Sequence, residues 1–403
     1  MTRKSHIRPA DIRGFSRLAI DATLGLTRLV ETMHHNIART PGILGKHTRE
    51  PTGGITGLVY RSIQGATRLV GSGLDALLAQ LAPLLDRQQA ASSGTREALL
   101  AALNGVLGDH LAASANPLAI AMQLRREGQP LALTGEDLSR AIPGAGGRIL
   151  LLVHGLCMND LQWRRKGHDH GEALASAAGF TPLYLHYNSG EHVSSNGRAF
   201  AELLETLLHA WPVPVEKLVI IGHSMGGLVA RSACHYGRLA GHQWPEHLGQ
   251  MVFLGTPHLG APLERGGNWV NFILEVSPYT AALARLAKIR SAGITDLRHG
   301  SILDEDWRHG DRFARARKRK FVPLPEGVLC HAVAVTIATA AGDPGEALLG
   351  DGLVPLRSAL GQSADGSQSL DFPEPQRWIG CGMNHLDLLD SGEVCGQLRK
   401  WLC

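Results

Sequence analysis

The stretch that most constrains how this chain folds is residues 219–230. A run of β-branched apolar residues there ends in Gly-His-Ser-Met-Gly, residues 222–226, and small and apolar residues follow. This order predicts a buried strand, a sharp turn with Ser224 at its apex, and a helix. Such a turn strains the serine backbone, so the residues two before and two after it, Gly222 and Gly226, must be small. We expect Gly227 to let the helix pack close to the sheet.

The rest of the chain from about residue 115 alternates between short apolar runs and helical patterns. This alternation predicts an α/β fold, a mostly parallel, doubly wound sheet whose functional residues lie at the carboxyl ends of the strands. A hairpin is predicted over residues 118–133, ahead of the parallel strands. The predicted strands are residues 148–153, 182–187, 219–223, 251–254 and 328–339, and the predicted helices are residues 171–178, 197–210, 225–230 and 394–402.

Two further regions do not fit this alternation. Residues 1–114 have apolar residues at helical spacing, which predicts an N-terminal helical region ahead of a main domain at 115–403. Its helices either dock on the main domain or form an interfacial anchor at a lipid surface, and we favour docking because amphipathic helices mostly belong to protein cores. Residues 262–327 interrupt the alternation and are expected to form a helical cap.

A serine hydroxyl becomes a good nucleophile only when a histidine accepts its proton and a carboxylate orients that histidine. In a chain with this strand–turn–helix signal the expected order is serine, then acid, then histidine. Asp351 lies in Gly-Asp-Gly-Leu-Val-Pro, residues 350–355, and His385 is the only histidine that follows it. Asp343 is the alternative acid, and we favour Asp351 because glycines flank it in a tight loop.

A reacting acyl group also needs two N–H donors for the oxyanion that develops on it. The residue after the nucleophile, Met225, is expected to supply one of them through its backbone. The loop that follows His154 and Gly155 is expected to supply the other from Leu156. His154 itself is interpreted as structural.

The amino-acid composition indicates which kinds of binding partner and which cellular location to expect. The formal net charge is +4, with 44% hydrophobic and 19% charged residues, which is typical of a globular protein and gives no reason to expect nucleic acid binding. The sequence shows neither a signal peptide nor a transmembrane segment, so we expect a cytoplasmic protein, with peripheral membrane contact as the alternative. Its six cysteines are expected to be free thiols, although a bridge between Cys330 and Cys381 is the alternative.

Five motifs in this order resemble bacterial lipases and the GPI inositol-deacylase-like branch of the α/β-hydrolases. The resemblance covers about residues 117–403. It implies ester hydrolysis through an acyl-enzyme with Ser224, Asp351 and His385 as the triad, and no cofactor. Some such lipases hold a structural calcium through the aspartate after His-Leu, here Asp387, but no matching upstream aspartate is evident, and no metal is expected. The motifs are residues 154–156, 222–227, 255–260, 350–355 and 384–387.

These features predict a serine carboxylester hydrolase that acts on acyl esters, with a lipid-like ester as the expected substrate. An acyltransferase would use the same triad with an alcohol as acceptor. A non-catalytic protein that binds a lipid or granule surface is the third hypothesis, and it predicts a broken triad. The oligomeric state does not follow from the sequence.

Overall fold

The computed structural model describes residues 8–38, 64, 94–261, 291–308, 319–339 and 350–403. Among them is an eight-stranded sheet with the order β2-β1-β4-β3-β5-β6-β7-β8. The strands from β4 to β8 in this order run parallel, and the β1–β2 hairpin adds antiparallel at one edge. The sheet is therefore mostly parallel, as the alternation predicted. The strands are β1 (Gln123–Arg126), β2 (Gln129–Pro130), β3 (Arg148–Val153), β4 (Thr181–His186), β5 (Lys217–His223), β6 (Leu248–Leu254), β7 (Leu329–Thr336) and β8 (Arg377–Cys381).

The central strands are apolar along almost their whole length because helices cover both faces of the sheet. In β3, Leu150, Leu151 and Leu152 are fully buried, as are Ile220 and Ile221 in β5. Burying each such side chain contributes about 1.5–3 kcal/mol. The core therefore lies around β3, β5 and β6, and the loops of the site described below follow these strands and the neighbouring β7 and β8.

The described helices flank this sheet or precede it in the chain. The helices predicted at residues 171–178, 197–210, 225–230 and 394–402 are found, and their first residues differ from the predicted ones by up to four positions. The helices are α1 (Pro9–Ala38), α2 (Gly94–Ala113), α3 (Gly135–Ala141), α4 (His170–Ala178), α5 (Val193–Ala210), α6 (Met225–Ala240), α7 (Trp244–His247), α8 (Ala292–His299), α9 (Glu305–Arg308), α10 (Leu356–Ala359) and α11 (Gly392–Leu402). None of these helices combines the length and apolarity that crossing a membrane requires.

The chain divides into two compact units. The first contains residues 1–96 and 113–119, and within it Arg96 forms an ion pair with Asp11 of α1, while the side chain of Asn116 donates to the carbonyl of Gly14. The second contains residues 97–112 and 120–403. Most of α2 thus belongs to the unit that contains the sheet. The boundary at residue 114 and the docking of the N-terminal helices stay predictions.

Helix α2 is held tightly within the second unit. Gly105 packs so closely on Cys157 that a Cβ at residue 105 would lie 2.9 Å from the Cα of Cys157. The side chain of Asn188 donates to the carbonyl of Gly108 over 3.0 Å, and the Ser291 hydroxyl donates to the carbonyl of Gly105 over 2.7 Å. Helix α2 therefore supports the loops that follow β3 and β4.

Two local features differ from the sequence prediction. Strand β8 was not predicted, because it is a short edge strand whose residues are mostly half-exposed. The hairpin strands are shorter than residues 118–133 suggested, and β1 includes Arg125 and Arg126, which were assigned to the turn. The turn is at Glu127 and Gly128, which both have positive φ, as a two-residue hairpin requires. Residues 262–290 and 309–318 of the predicted cap lie outside the described residues.

Candidate active site

Ser224 lies at the sharp turn between β5 and α6. Its φ of 54° and ψ of −123° place it in a conformation that L-residues rarely adopt. A Cβ on Gly222 would lie 2.6 Å from the Cα of Gly227, and a Cβ on Gly226 would lie 2.7 Å from the carbonyl of His154. Both positions therefore require glycine, which is the reason given for them from the sequence.

His385 and Asp351 are brought together by loops that follow β7 and β8. The Nδ1 of His385 donates to Oδ2 of Asp351 over 2.6 Å, and both side chains are buried. The other oxygen of Asp351 accepts from the backbone N–H groups of Leu353 at 3.0 Å and Val354 at 2.8 Å. These bonds fix the carboxylate, and the carboxylate fixes the ring so that its Nε2 faces away from Asp351.

The serine turn and the Asp351–His385 pair converge at one edge of the sheet. The N–H of Ser224 donates to the carbonyl of Leu254 at the end of β6 over 2.8 Å. The next residue, Gly255, has a φ of 58°, and a Cβ there would lie 3.2 Å from both Oδ2 of Asp351 and Cε1 of His385. A side chain at residue 255 would therefore push into the pair.

His223, the neighbour of the serine, adds a direct link to the histidine loop. Its Nε2 donates to the backbone carbonyl of His385 over 3.2 Å. Burial lowers the pKa of His223 well below 6.5, and the nearby His385 lowers it further. The ring is therefore neutral at ordinary pH, and it keeps the tautomer that donates to His385.

The loop after β3 passes directly over the serine. A Cβ on Gly155 would lie 3.1 Å from the Cβ of Ser224, so a side chain there would crowd the nucleophile. The N–H of Cys157 donates to the hydroxyl of Ser189 at 3.0 Å, and that of Met158 to the carbonyl of Gly155 at 3.3 Å. Because both of these amides have partners within the protein, the bonding favours Leu156 as the donor from this loop.

His154 is buried against the ring of Tyr187, with 4.4 Å between the ring centroids. Its Nδ1 is 2.9 Å from the carbonyl of Gly155. Burial lowers the pKa of His154 to about 3, so the ring is neutral. These contacts agree with a structural part for this residue.

Buried charges anchor the far end of the same loop. Asp160 lies 3.2 Å from the guanidinium of Arg125 and 3.0 Å from Nδ1 of His186, and Arg125 also contacts Glu97 of α2 at 2.9 Å. Burial alone would raise the pKa of Asp160, but the bond from His186 and the charge of Arg125 lower it below its usual value. The network ties α2, β1 and β4 to the loop that carries Leu156.

Asp387, the residue that a lipase-type calcium would use, already has partners from the protein. Its Oδ2 accepts from the N–H of Asn384 over 2.9 Å, and its Oδ1 is 3.6 Å from Nζ of Lys166. A lysine ammonium close to the carboxylate opposes a second cation there.

Two supporting contacts were not predicted from the sequence. Nothing local singled out His223 as a donor to His385 or Ser189 as the acceptor that shapes the loop after β3. Gly255 begins the motif at residues 255–260, and a glycine directly after a predicted parallel strand indicates a close approach. The alternative acid, Asp343, lies outside the described residues. All six cysteines are free thiols, so Cys330 and Cys381 do not form a bridge.

Comparison with known families gives one match. Residues 144–327 match the model of the PGAP1-like alpha/beta domain. This range contains the serine turn and the loop after β3, but neither Asp351 nor His385. A comparison with curated proteins found no match.

Three enzymes are among the solved structures to which the chain is similar. A mature lipase of Bacillus licheniformis is 17% identical, with a TM-score of 0.41 over 70% of this chain and 98% of that chain. Lipase B of Aspergillus fumigatus is 12% identical, with a TM-score of 0.37 over 63% and 54% of the two chains. An esterase of Pyrococcus furiosus is 13% identical, with a TM-score of 0.36 over 65% of this chain and 85% of that chain.

Proposed function

We propose that this α/β-hydrolase is a serine carboxylester hydrolase that cleaves acyl esters through an acyl-enzyme on Ser224. One observation carries the proposal. Ser224 is at a strained strand–helix turn, and a buried histidine bonded to a fixed carboxylate lies at the same edge of the sheet. A serine, a base and an orienting acid are the three parts that acyl transfer to a hydroxyl requires.

In the first half-reaction, the Ser224 oxygen attacks the ester carbonyl while Nε2 of His385 takes the hydroxyl proton. The N–H groups of Leu156 and Met225 stabilise the oxyanion of the tetrahedral intermediate. The C–O bond to the alcohol then breaks, and His385 returns the proton to the departing oxygen. Asp351 stays ionised and stabilises the imidazolium that forms in between.

In the second half-reaction, water attacks the acyl-enzyme as His385 accepts a proton from it. The new intermediate collapses, the acid leaves, and the proton returns to Ser224. An alcohol in place of water would give a transesterified product, so product analysis with a competing alcohol separates hydrolysis from acyl transfer.

The test is hydrolysis of p-nitrophenyl esters of graded chain length by the parent chain and by Ser224→Ala. Loss of the nucleophile is expected to cut turnover by about 10⁴–10⁶, while the circular dichroism spectrum stays that of the parent. An organophosphonate should label the parent once per chain, on Ser224. Near-normal activity of the alanine variant, or labelling elsewhere, would end the proposal.

A further inference from the structure

Three side chains with metal-binding atoms meet on the side of the sheet where α4 and α11 pack together. His170 is the first residue of α4, His168 lies two residues before it, and Cys395 lies in the first half of α11. One ligand atom of each, a ring nitrogen or the thiol sulfur, lies within 4.8 Å of the others. We propose that His168, His170 and Cys395 form a zinc site, separate from the serine machinery.

The tautomer of His170 supports the proposal. Its Nε2 is 2.9 Å from the carbonyl of Leu388 and must donate to it, because a carbonyl oxygen only accepts. In a neutral ring, Nδ1 then carries a lone pair, and this atom faces Nε2 of His168 at 2.8 Å. Metal-binding histidines typically donate their second ring N–H to a backbone carbonyl in this way, which holds the ring for the metal.

The two ring nitrogens lie near the separation that a shared metal would require. Two nitrogens bound tetrahedrally at about 2.0–2.1 Å from zinc lie roughly 3.3 Å apart, so the rings need to separate by about half an ångström. When zinc binds, the hydrogen between the rings moves to Nδ1 of His168, and the thiol of Cys395 releases its proton. A thiolate and two imidazoles are ligands that zinc favours, and water can take the fourth position beside the half-exposed His168.

The position of the cluster gives the site a structural effect. The metal would join the start of α4 to α11 through three side chains. The bond from His170 to Leu388 extends the link to the segment after β8 that contains His385. We therefore expect zinc to raise the melting temperature and to hold the C-terminal helix in place.

The experiment uses the full chain, stripped with a chelator and titrated with zinc and, separately, with cobalt. The parent should bind one zinc per chain tightly and melt at a higher temperature with zinc. Cobalt should give the near-ultraviolet charge-transfer band of a thiolate–metal bond, which a surface histidine site cannot produce. Cys395→Ser should lose this band, and Cys330→Ser, a change at another buried thiol, should keep it.

A second variant keeps the test sound if Cys395→Ser fails to fold. His168 is half-exposed, so His168→Ala should fold, and its zinc affinity should fall by more than the about 10–100-fold that changes outside the ligand set cost. A parent without the cobalt band, a band that survives Cys395→Ser, or unchanged affinity in His168→Ala would each overturn the proposal. None of these readouts depends on ester hydrolysis.

Discussion

At the scale of single residues, the orientation of His385 depends on one short hydrogen bond. Asp351 accepts from His385 with one oxygen and from two backbone amides with the other, so the acid is rigid before any substrate arrives. The tight loop between Gly350 and Gly352 makes this possible, because φ is positive at both glycines. A rigid acid spares the reorganisation that would otherwise add to the barrier.

Asp351→Asn is expected to cut turnover by about 10⁴ with little change in stability, because an amide no longer holds the tautomer of His385 in which Nε2 can accept a proton. Steady-state kinetics on a p-nitrophenyl ester measure the effect. Asp343→Asn is the matched control and should leave turnover nearly unchanged. The reverse ranking would place the acid in the earlier loop.

At the scale of elements, helix α2 forms the support for the loop after β3. The backbone of Cys157 packs against Gly105, and the adjacent residue, Leu156, is the proposed oxyanion donor. A shift of a few tenths of an ångström in this loop would move that donor away from the developing charge. The precision of the site is thus coupled to a helix that precedes the sheet by several elements.

Gly105→Ala is expected to destabilise the protein by about 1–3 kcal/mol and to lower kcat, because a methyl group there pushes on Cys157. Urea unfolding and ester hydrolysis measure the two effects. Gly396→Ala is a matched change within α11, where a methyl group meets no atom within 4 Å, and it should be neutral or stabilising. Equal behaviour of the two variants would contradict a supporting role for α2.

At the scale of the whole molecule, residues 97–112 belong to the compact unit that contains the sheet, and residues 1–96 belong to the other unit. Leu103, Val106 and Leu111 of α2 are almost completely buried. Removing this helix would expose the apolar surface on which it packs, and such a patch favours aggregation. The solubility of a truncated chain is therefore expected to depend on whether the truncation keeps α2.

A chain that lacks residues 1–114 is expected to be less soluble and less active than one that lacks residues 1–93, since only the shorter truncation keeps α2. Yield, melting temperature and hydrolysis of short dissolved esters compare the two. If the N-terminal helices were instead an interfacial anchor, the chain that lacks residues 1–93 would stay soluble and active but would no longer pellet with anionic vesicles. That result would contradict docking.

Buried neutral histidines make the stability of the whole fold depend on pH. Burial lowers the pKa of His154 to about 3 and that of His331 to about 4, whereas both titrate near 6.5 in the unfolded chain. Between about pH 6.5 and 4 the unfolded state therefore binds more protons, and the free energy of unfolding falls as the pH is lowered.

Each of these histidines is expected to contribute up to about 1.4 kcal/mol per pH unit to this fall. Urea unfolding at pH 7, 6 and 5 measures it. His331→Gln should make the free energy of unfolding depend less steeply on pH, by up to about 1.4 kcal/mol per pH unit, which corresponds to one proton. A free energy of unfolding that stays constant from pH 7 to pH 5 would contradict the expectation.

Local patterns in the sequence were sufficient to predict the strand–turn–helix at Ser224 and the alternation around it. Turn geometry demands small residues at fixed offsets, and buried parallel strands demand continuous apolar runs, so both leave a signal in neighbouring letters. The order of acid and histidine narrowed the partners to Asp351 or Asp343 with His385. Strand β8 was not predicted because a half-exposed edge strand has no continuous apolar run.

Only the tertiary structure joined residues that are far apart in the chain. The bond from His223 to His385 spans 162 positions, and the bond from His170 to Leu388 spans 218. The meeting of His168 and His170 with Cys395 depends in the same way on how α4 and α11 pack. Such contacts are set by the register of the parallel strands and the packing of helices on them. No local spacing encodes them, because each partner is an ordinary residue until the sheet brings the two together.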